Sequence, residues 1–143
     1  MSAEAPSSLR LLALDADDLG VISAALQDAV IKVGDIAFEA KSRRLTIALN
    51  RYRWEAGGGE RVRAALQLGY VLEVQARRIR RAPKDAVLEL LALTFEPGES
   101  PGGAVALTFA GGGDLRAIVE CIDAVLADVS PPWPTPRSPA HEA

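Results

Sequence analysis

Two runs of alternating residues, split by a glycine-rich break, constrain this chain more than any other feature. Leu45 to Trp54 and Arg61 to Leu68 flank Glu55-Ala56-Gly57-Gly58-Gly59-Glu60. Three consecutive glycines disfavour the interior of any helix or strand, so the stretch reads as a β-hairpin with a wide turn. Closing the turn at Glu55 and Glu60 sets Leu49 opposite Leu66, Ile47 opposite Leu68 and Arg51 opposite Ala64. One face is then apolar: Leu45, Ile47, Leu49, Val62, Ala64, Leu66 and Leu68. The other gathers Thr46, Asn50, Tyr52, Trp54, Arg61, Arg63, Ala65 and Gln67, with Trp54 beside Arg61 and Tyr52 beside Arg63. A slip of one residue would send every side chain to the wrong face.

The neighbouring segments supply more strands. Leu9 to Leu14 is a short apolar run suited to a sheet edge. Asp15, with Asp17 and Asp18 after it, caps a helix expected to reach about Val30, with Leu19, Ile22, Leu26, Ala29 and Val30 on one face. Capping explains these three aspartates better than a metal site, because no calcium-loop pattern follows. Ile31 to Ala40, Tyr70 to Gln75, Ala86 to Glu96 and Ala104 to Ala110 read as strands. A helix over Arg61 to Ala76 competes, but Gly69 and the valines favour strands. Gly111-Gly112-Gly113 is a second glycine turn; it lacks the companion residues of a phosphate loop. Leu115 to Val119 is expected as the last strand and Glu120 to Val129 as a closing helix, with Ile122, Val125, Leu126 and Val129 inward. A single helix capped by Asp114 is the competing reading.

Composition limits the classes open to such a chain. At 143 residues and 49% hydrophobic, it can bury a core. Aromatics make up 5%, so that core must be aliphatic. No apolar run spans a bilayer, and Met1 to Ser8 lacks the basic start of a secretory signal. With Cys121 the sole cysteine there is no intrachain disulfide, and a cytoplasmic setting is expected. The net charge of −3 hides an asymmetry. Lys41 to Lys84 holds twelve Lys and Arg against three Glu, while the remainder holds four basic and 16 acidic residues. Either the two sets interleave and neutralise each other, or a basic face awaits an anionic partner.

Three stretches carry a resemblance: Leu26 to Asp35, Leu49 to Glu55 and Phe109 to Asp123. They resemble a family of small, mostly alphaproteobacterial proteins catalogued as a domain of unknown function, over most of residues 9–135. The resemblance implies a bacterial protein but brings no activity, cofactor or catalytic residue. The order of elements also resembles the pleckstrin-homology-like barrel, which implies a binding role. The expected fold is therefore α+β: an antiparallel sheet or partly closed barrel with an N-terminal helix and a C-terminal closing helix. It would form one domain over residues 9–130, after a flexible N-terminus at 1–8. Residues 131–143 hold five of the nine prolines and read as an extended or disordered tail whose Trp133 folds back onto the body.

These residues point away from an enzyme. The only histidine, His141, lies in the tail, no Ser-His-Asp set is evident, and no His/Cys cluster suggests a metal or cofactor. An unrecognised carboxylate pair is the enzymatic alternative. The leading expectation is a non-catalytic binding or adaptor module that contacts a protein partner through Tyr52, Trp54, Arg61 and Arg63. The alternative is an anion site, for nucleic acid or acidic lipid, at Arg77, Arg78, Arg80 and Arg81. Nucleic acid is the weaker partner, since no aromatic stacking set stands beside these arginines and the pI is about 5.2.

Overall fold

Alternating inward and outward side chains organise nearly the whole chain. The structure is a computed structural model and describes residues 8–57, 59–80 and 83–135. In chain order the elements are β1 (Arg10–Ala13), α1 (Ala16–Ala25), β2 (Val30–Lys32), β3 (Ile36–Glu39), β4 (Arg44–Tyr52), β5 (Glu60–Leu68), β6 (Val71–Arg77), β7 (Val87–Pro97), β8 (Gly103–Phe109), β9 (Asp114–Val119), β10 (Ala124–Asp128) and β11 (Trp133–Pro134). The strands form one open antiparallel sheet in the order β1-β10-β5-β4-β2-β7-β8-β9-β6, with β3 also beside β4 and β11 also beside β5. Short 3-10 turns cover Val33–Asp35 and Trp54–Ala56.

The core follows from period two. Leu45, Ile47 and Leu49 of β4 and Val62, Ala64, Leu66 and Leu68 of β5 are buried on one face. All of these but Val62 meet Leu107 and Phe109 of β8, Leu115 and Ala117 of β9, and Leu126 of β10 in one cluster. Each fully buried leucine or isoleucine contributes about 1.5–3 kcal/mol. α1 packs on β1 and β7 and adds Leu19 and Ile22 to that cluster. Strand β7 links the two parts of the sheet. Its first residues pair with β2, and from Leu90 onward it pairs with β8 across an irregularity between Leu90 and Ala92.

The central hairpin sorts its faces as the alternation requires, but its partners are displaced by two residues. Leu49 pairs with Ala64, Ile47 with Leu66 and Tyr52 with Arg61. The turn closes at Arg53, whose N–H donates to the Glu60 carbonyl at 2.9 Å, rather than at Glu55. Trp54–Ala56 coils into a 3-10 turn that ends on Gly57 at φ +83°, so more residues enter the loop than a flat strand would give up. A shift of two keeps every side chain on its face, which is why facing could be read and pairing could not.

The expected α+β barrel with a closing C-terminal helix is overturned. Glu120 to Val129 is not helical; it contains β10, held antiparallel between β1 and β5. Apolar residues in this stretch fit both periods: Ile122, Val125, Leu126 and Val129 at helical spacing, Ala124 and Leu126 at strand spacing. The sheet decides. Without β10 the β5 edge opposite β4 and the whole of β1 would lose their ladder partners. The sheet is open, ending at β1 and β6, which does not match the expected pleckstrin-homology-like closure. The N-terminal helix also stops early, at Ala25, because Asp28 takes a left-handed conformation at φ +66° and its N–H donates to the Leu90 carbonyl at 2.9 Å. The stretch expected as one strand from Ile31 to Ala40 is broken into β2, a 3-10 turn and β3. At the other end, β11 pairs Trp133 with Arg61 and Pro134 with Glu60, and residues 136–143, with His141, lie outside the described part.

Strand and helix make opposite demands on two positions in β10 and just after it. Val129 is 61% exposed and Ala124 is fully buried. Val129→Asp should therefore change unfolding free energy by less than ~0.5 kcal/mol. Ala124→Asp should cost more than ~2 kcal/mol, through an unpaired buried carboxylate. Urea titration of both variants checks the pair of outcomes.

Candidate functional site

The glycine-rich end of the β4–β5 hairpin is built on a buried charge. Arg51 continues the inward alternation of Leu45, Ile47 and Leu49, and its side chain is fully buried. Its guanidinium donates to Asp128 at both oxygens, Nε to Oδ1 at 2.8 Å and Nη2 to Oδ2 at 2.9 Å. It also donates to Glu55, Nη1 to Oε1 at 3.0 Å and Nη2 to Oε2 at 2.6 Å. Asp128 in turn accepts from the Leu9 N–H at 2.9 Å. Burial alone would lower the Arg51 pKa, but the hydrogen bonds to Asp128 and Glu55 outweigh it and leave the group raised. The bond from Arg51 holds the Glu55 carboxyl below its usual range, against a smaller opposing effect of burial. Arg53, also nearly buried, pairs with Glu60 across the turn.

On this clamp sits a row of aromatic and arginine side chains. Arg61 lies across from Tyr52 on one side and from Trp133 on the other. Its guanidinium carbon is 5.7 Å from the Tyr52 ring centroid, within cation–π range. Tyr52 is buried, accepts from the Gly59 N–H at its hydroxyl (2.7 Å), and meets Trp54 edge to face at 4.6 Å and 62°. Trp54 Nε1 donates to the Gln27 carbonyl at 3.1 Å, which ties the turn to the end of α1. The Thr135 N–H donates to the Gly59 carbonyl at 2.9 Å, so the proline-rich segment is hydrogen-bonded to the same loop. Trp54 and Trp133 remain 38% and 37% exposed.

Of the four residues expected on this face, Tyr52, Trp54 and Arg61 come together. Arg63 stands apart, its guanidinium bonded to Asp35 Oδ2 at 2.9 Å and Asn50 Oδ1 at 3.1 Å. Tyr52 takes Arg61 rather than Arg63 because the register moved by two. Sequence reasoning left Trp133 out of the site. Its only signal was a tryptophan inside a run of prolines. The partnership of Arg51 with Asp128 was also missed, since nothing local connects positions 77 residues apart.

The second expected site is split. Arg77 is bonded to Asp114 by Nε at 3.1 Å and Nη2 at 2.6 Å, an arrangement that raises the arginine pKa and lowers that of the aspartate. Arg78, at φ +57°, lines a small polar hollow with Arg77, Gly112 and Asp114. Arg80 is exposed, and Arg81 lies outside the described residues. The charge asymmetry is met in part by interleaving: Arg43, Arg51, Arg63 and Arg77 of the basic segment pair with Glu120, Asp128, Asp35 and Asp114 beyond it. Among the described residues no three His, Cys, Asp or Glu side chains gather as a metal site, and no helix is long and apolar enough to cross a membrane.

Removing Arg51 strands a buried carboxylate. Arg51→Ala should cost ~3–5 kcal/mol in denaturant unfolding, whereas Arg51→Met with Asp128→Leu should recover much of the loss. Because the Glu55 carboxyl is depressed in the folded state, its contribution is complete above the ordinary glutamate value of 4.5 and fades as pH falls below it. Stability of the wild type should accordingly drop more steeply below that pH than stability of Glu55→Gln, as read by thermal melts from pH 7 to pH 3.

No curated protein and no solved structure matches the chain. A family model does match, over residues 9–141, and its description is protein of unknown function (DUF2948). The match takes in every strand of the sheet, the Arg51–Asp128 clamp and the tryptophan row, and the chain therefore belongs to that family of proteins of unknown function.

Proposed function

We propose that this protein is a non-catalytic binding module that engages a protein partner through the hairpin end. One observation carries the reading. The chain has two tryptophans, far apart in sequence, and both are more than one-third exposed: Trp133 lies across from Arg61 on one side, and Trp54 stands against Tyr52, which lies across from Arg61 on the other. Tryptophan and arginine are the residues most enriched where interfaces hold most of their energy. Arg61 has no carboxylate within 4.0 Å among the described residues, unlike Arg51, Arg53 and Arg63. A fitting partner would present an acidic side chain next to an apolar one. The buried clamp beneath would keep the patch preformed, so little conformational entropy is lost on binding.

A second reading rests on the meeting of the arginine cluster with the Gly111–Gly113 turn. Arg78 and Gly112 share a hollow there, an arrangement suited to a small anion. Arg77 adds little charge, because Asp114 already neutralises it.

The test is capture of partners from the native lysate with nuclease present, followed by titration of the purified partner. Arg61→Ala with Trp133→Ala should weaken binding by at least ~2 kcal/mol, about thirtyfold, while the melting temperature stays within a few degrees. Equal affinity in the variant would overturn the patch. Nucleic acid captured without nuclease, and released by moderate salt, would move the weight to the arginine cluster.

A further inference from the structure

The open sheet leaves a gap. Strand β3 pairs only with β4 and β6 only with β9, so the facing sides of β3 and β6 make no ladder with each other among the described residues. Between them is a cleft of about 300 Å³, lined by Val33, Ile36, Val74, Ala76, Ile79 and Leu115, with Lys84 beside them. Ile36, Val74, Ala76 and Ile79 are only partly buried and lean on the main core, so the cleft is an apolar opening into the protein's interior. Among the described residues Lys84 is the one charged residue of the lining. It has no carboxylate within 4.0 Å among the described residues, and its position is fixed by the Gly34 N–H, which donates to its carbonyl at 2.7 Å.

We propose that this cleft binds a medium-chain aliphatic carboxylate, the chain between β3 and β6 and the carboxylate on Lys84. Three features select that class. The walls offer six apolar side chains and therefore reward alkyl burial. A lone ammonium at the edge fits one anionic head and disfavours a cationic one. The volume suits about ten non-hydrogen atoms, at roughly 30 Å³ each, which is the size of octanoate. The site lies apart from the tryptophan row and does not depend on it.

Titration calorimetry with octanoate, methyl octanoate and octylamine tests the proposal, with amide chemical shifts locating the site. Octanoate should bind, the uncharged ester about threefold more weakly, and the amine more weakly still. Shifts should centre on Gly34, Ala76 and Leu115. Lys84→Ala removes an exposed side chain and should fold normally; it should weaken octanoate about threefold and leave the ester unchanged. Ala76→Phe, which fills the cleft, should abolish binding of both. Failure of octanoate to bind, equal binding of all three probes, or shifts confined to another surface would each overturn the assignment.

Discussion

Arg51 places a permanent charge on the core side of a strand, and much of the hairpin's architecture answers to it. A guanidinium without solvent needs carboxylates in the right geometry, and here Asp128 and Glu55 supply four hydrogen bonds. Asp128 comes from β10 and also accepts from Leu9, so one charge cluster joins β4, β10 and the start of β1. Glu55 comes from the turn, so the same cluster fixes the loop. Such a pair adds little net stability over an apolar one, yet losing either member is costly. Its effect is therefore more on register than on total stability: Arg51 meets Asp128 only if the β4–β5–β10 pairing is the observed one.

The patch above this clamp inherits its order. Tyr52, one residue after Arg51, sits under Arg61 and against Trp54. Gly59 donates to the Tyr52 hydroxyl and accepts from Thr135, and so couples the turn to the segment that brings in Trp133. A surface assembled from three distant segments is held by hydrogen bonds to one loop. The β3–β6 gap has the contrary character. It exists because β3 and β6 do not pair with each other, and its apolar walls are largely partly buried residues packed against the core.

Much of this was legible in the chain. Alternation alone assigned Leu45, Ile47, Leu49, Val62, Ala64, Leu66 and Leu68 to the inside, and all are buried. Pairing was less legible, because the residues of the Trp54–Ala56 turn could equally have extended the strand. Glu120 to Val129 was misread as a helix for a related reason: its apolar residues satisfy both periods, and only the empty edge of β5 selects the strand. Of the candidate site, Tyr52, Trp54 and Arg61 were found because they lie close together in sequence. Trp133 joins them only through β11.

Local chemistry, then, determined what each residue prefers: which face it takes, where glycine breaks a strand, and where aspartate caps a helix. These are short-range preferences, set by period and backbone sterics. Which strands become neighbours, which of the arginines find acids, and which tryptophans share a surface were decided only by the tertiary structure. Those outcomes depend on satisfying backbone hydrogen bonds and buried charge across separations as large as the 77 residues between Arg51 and Asp128, over which no local pattern extends.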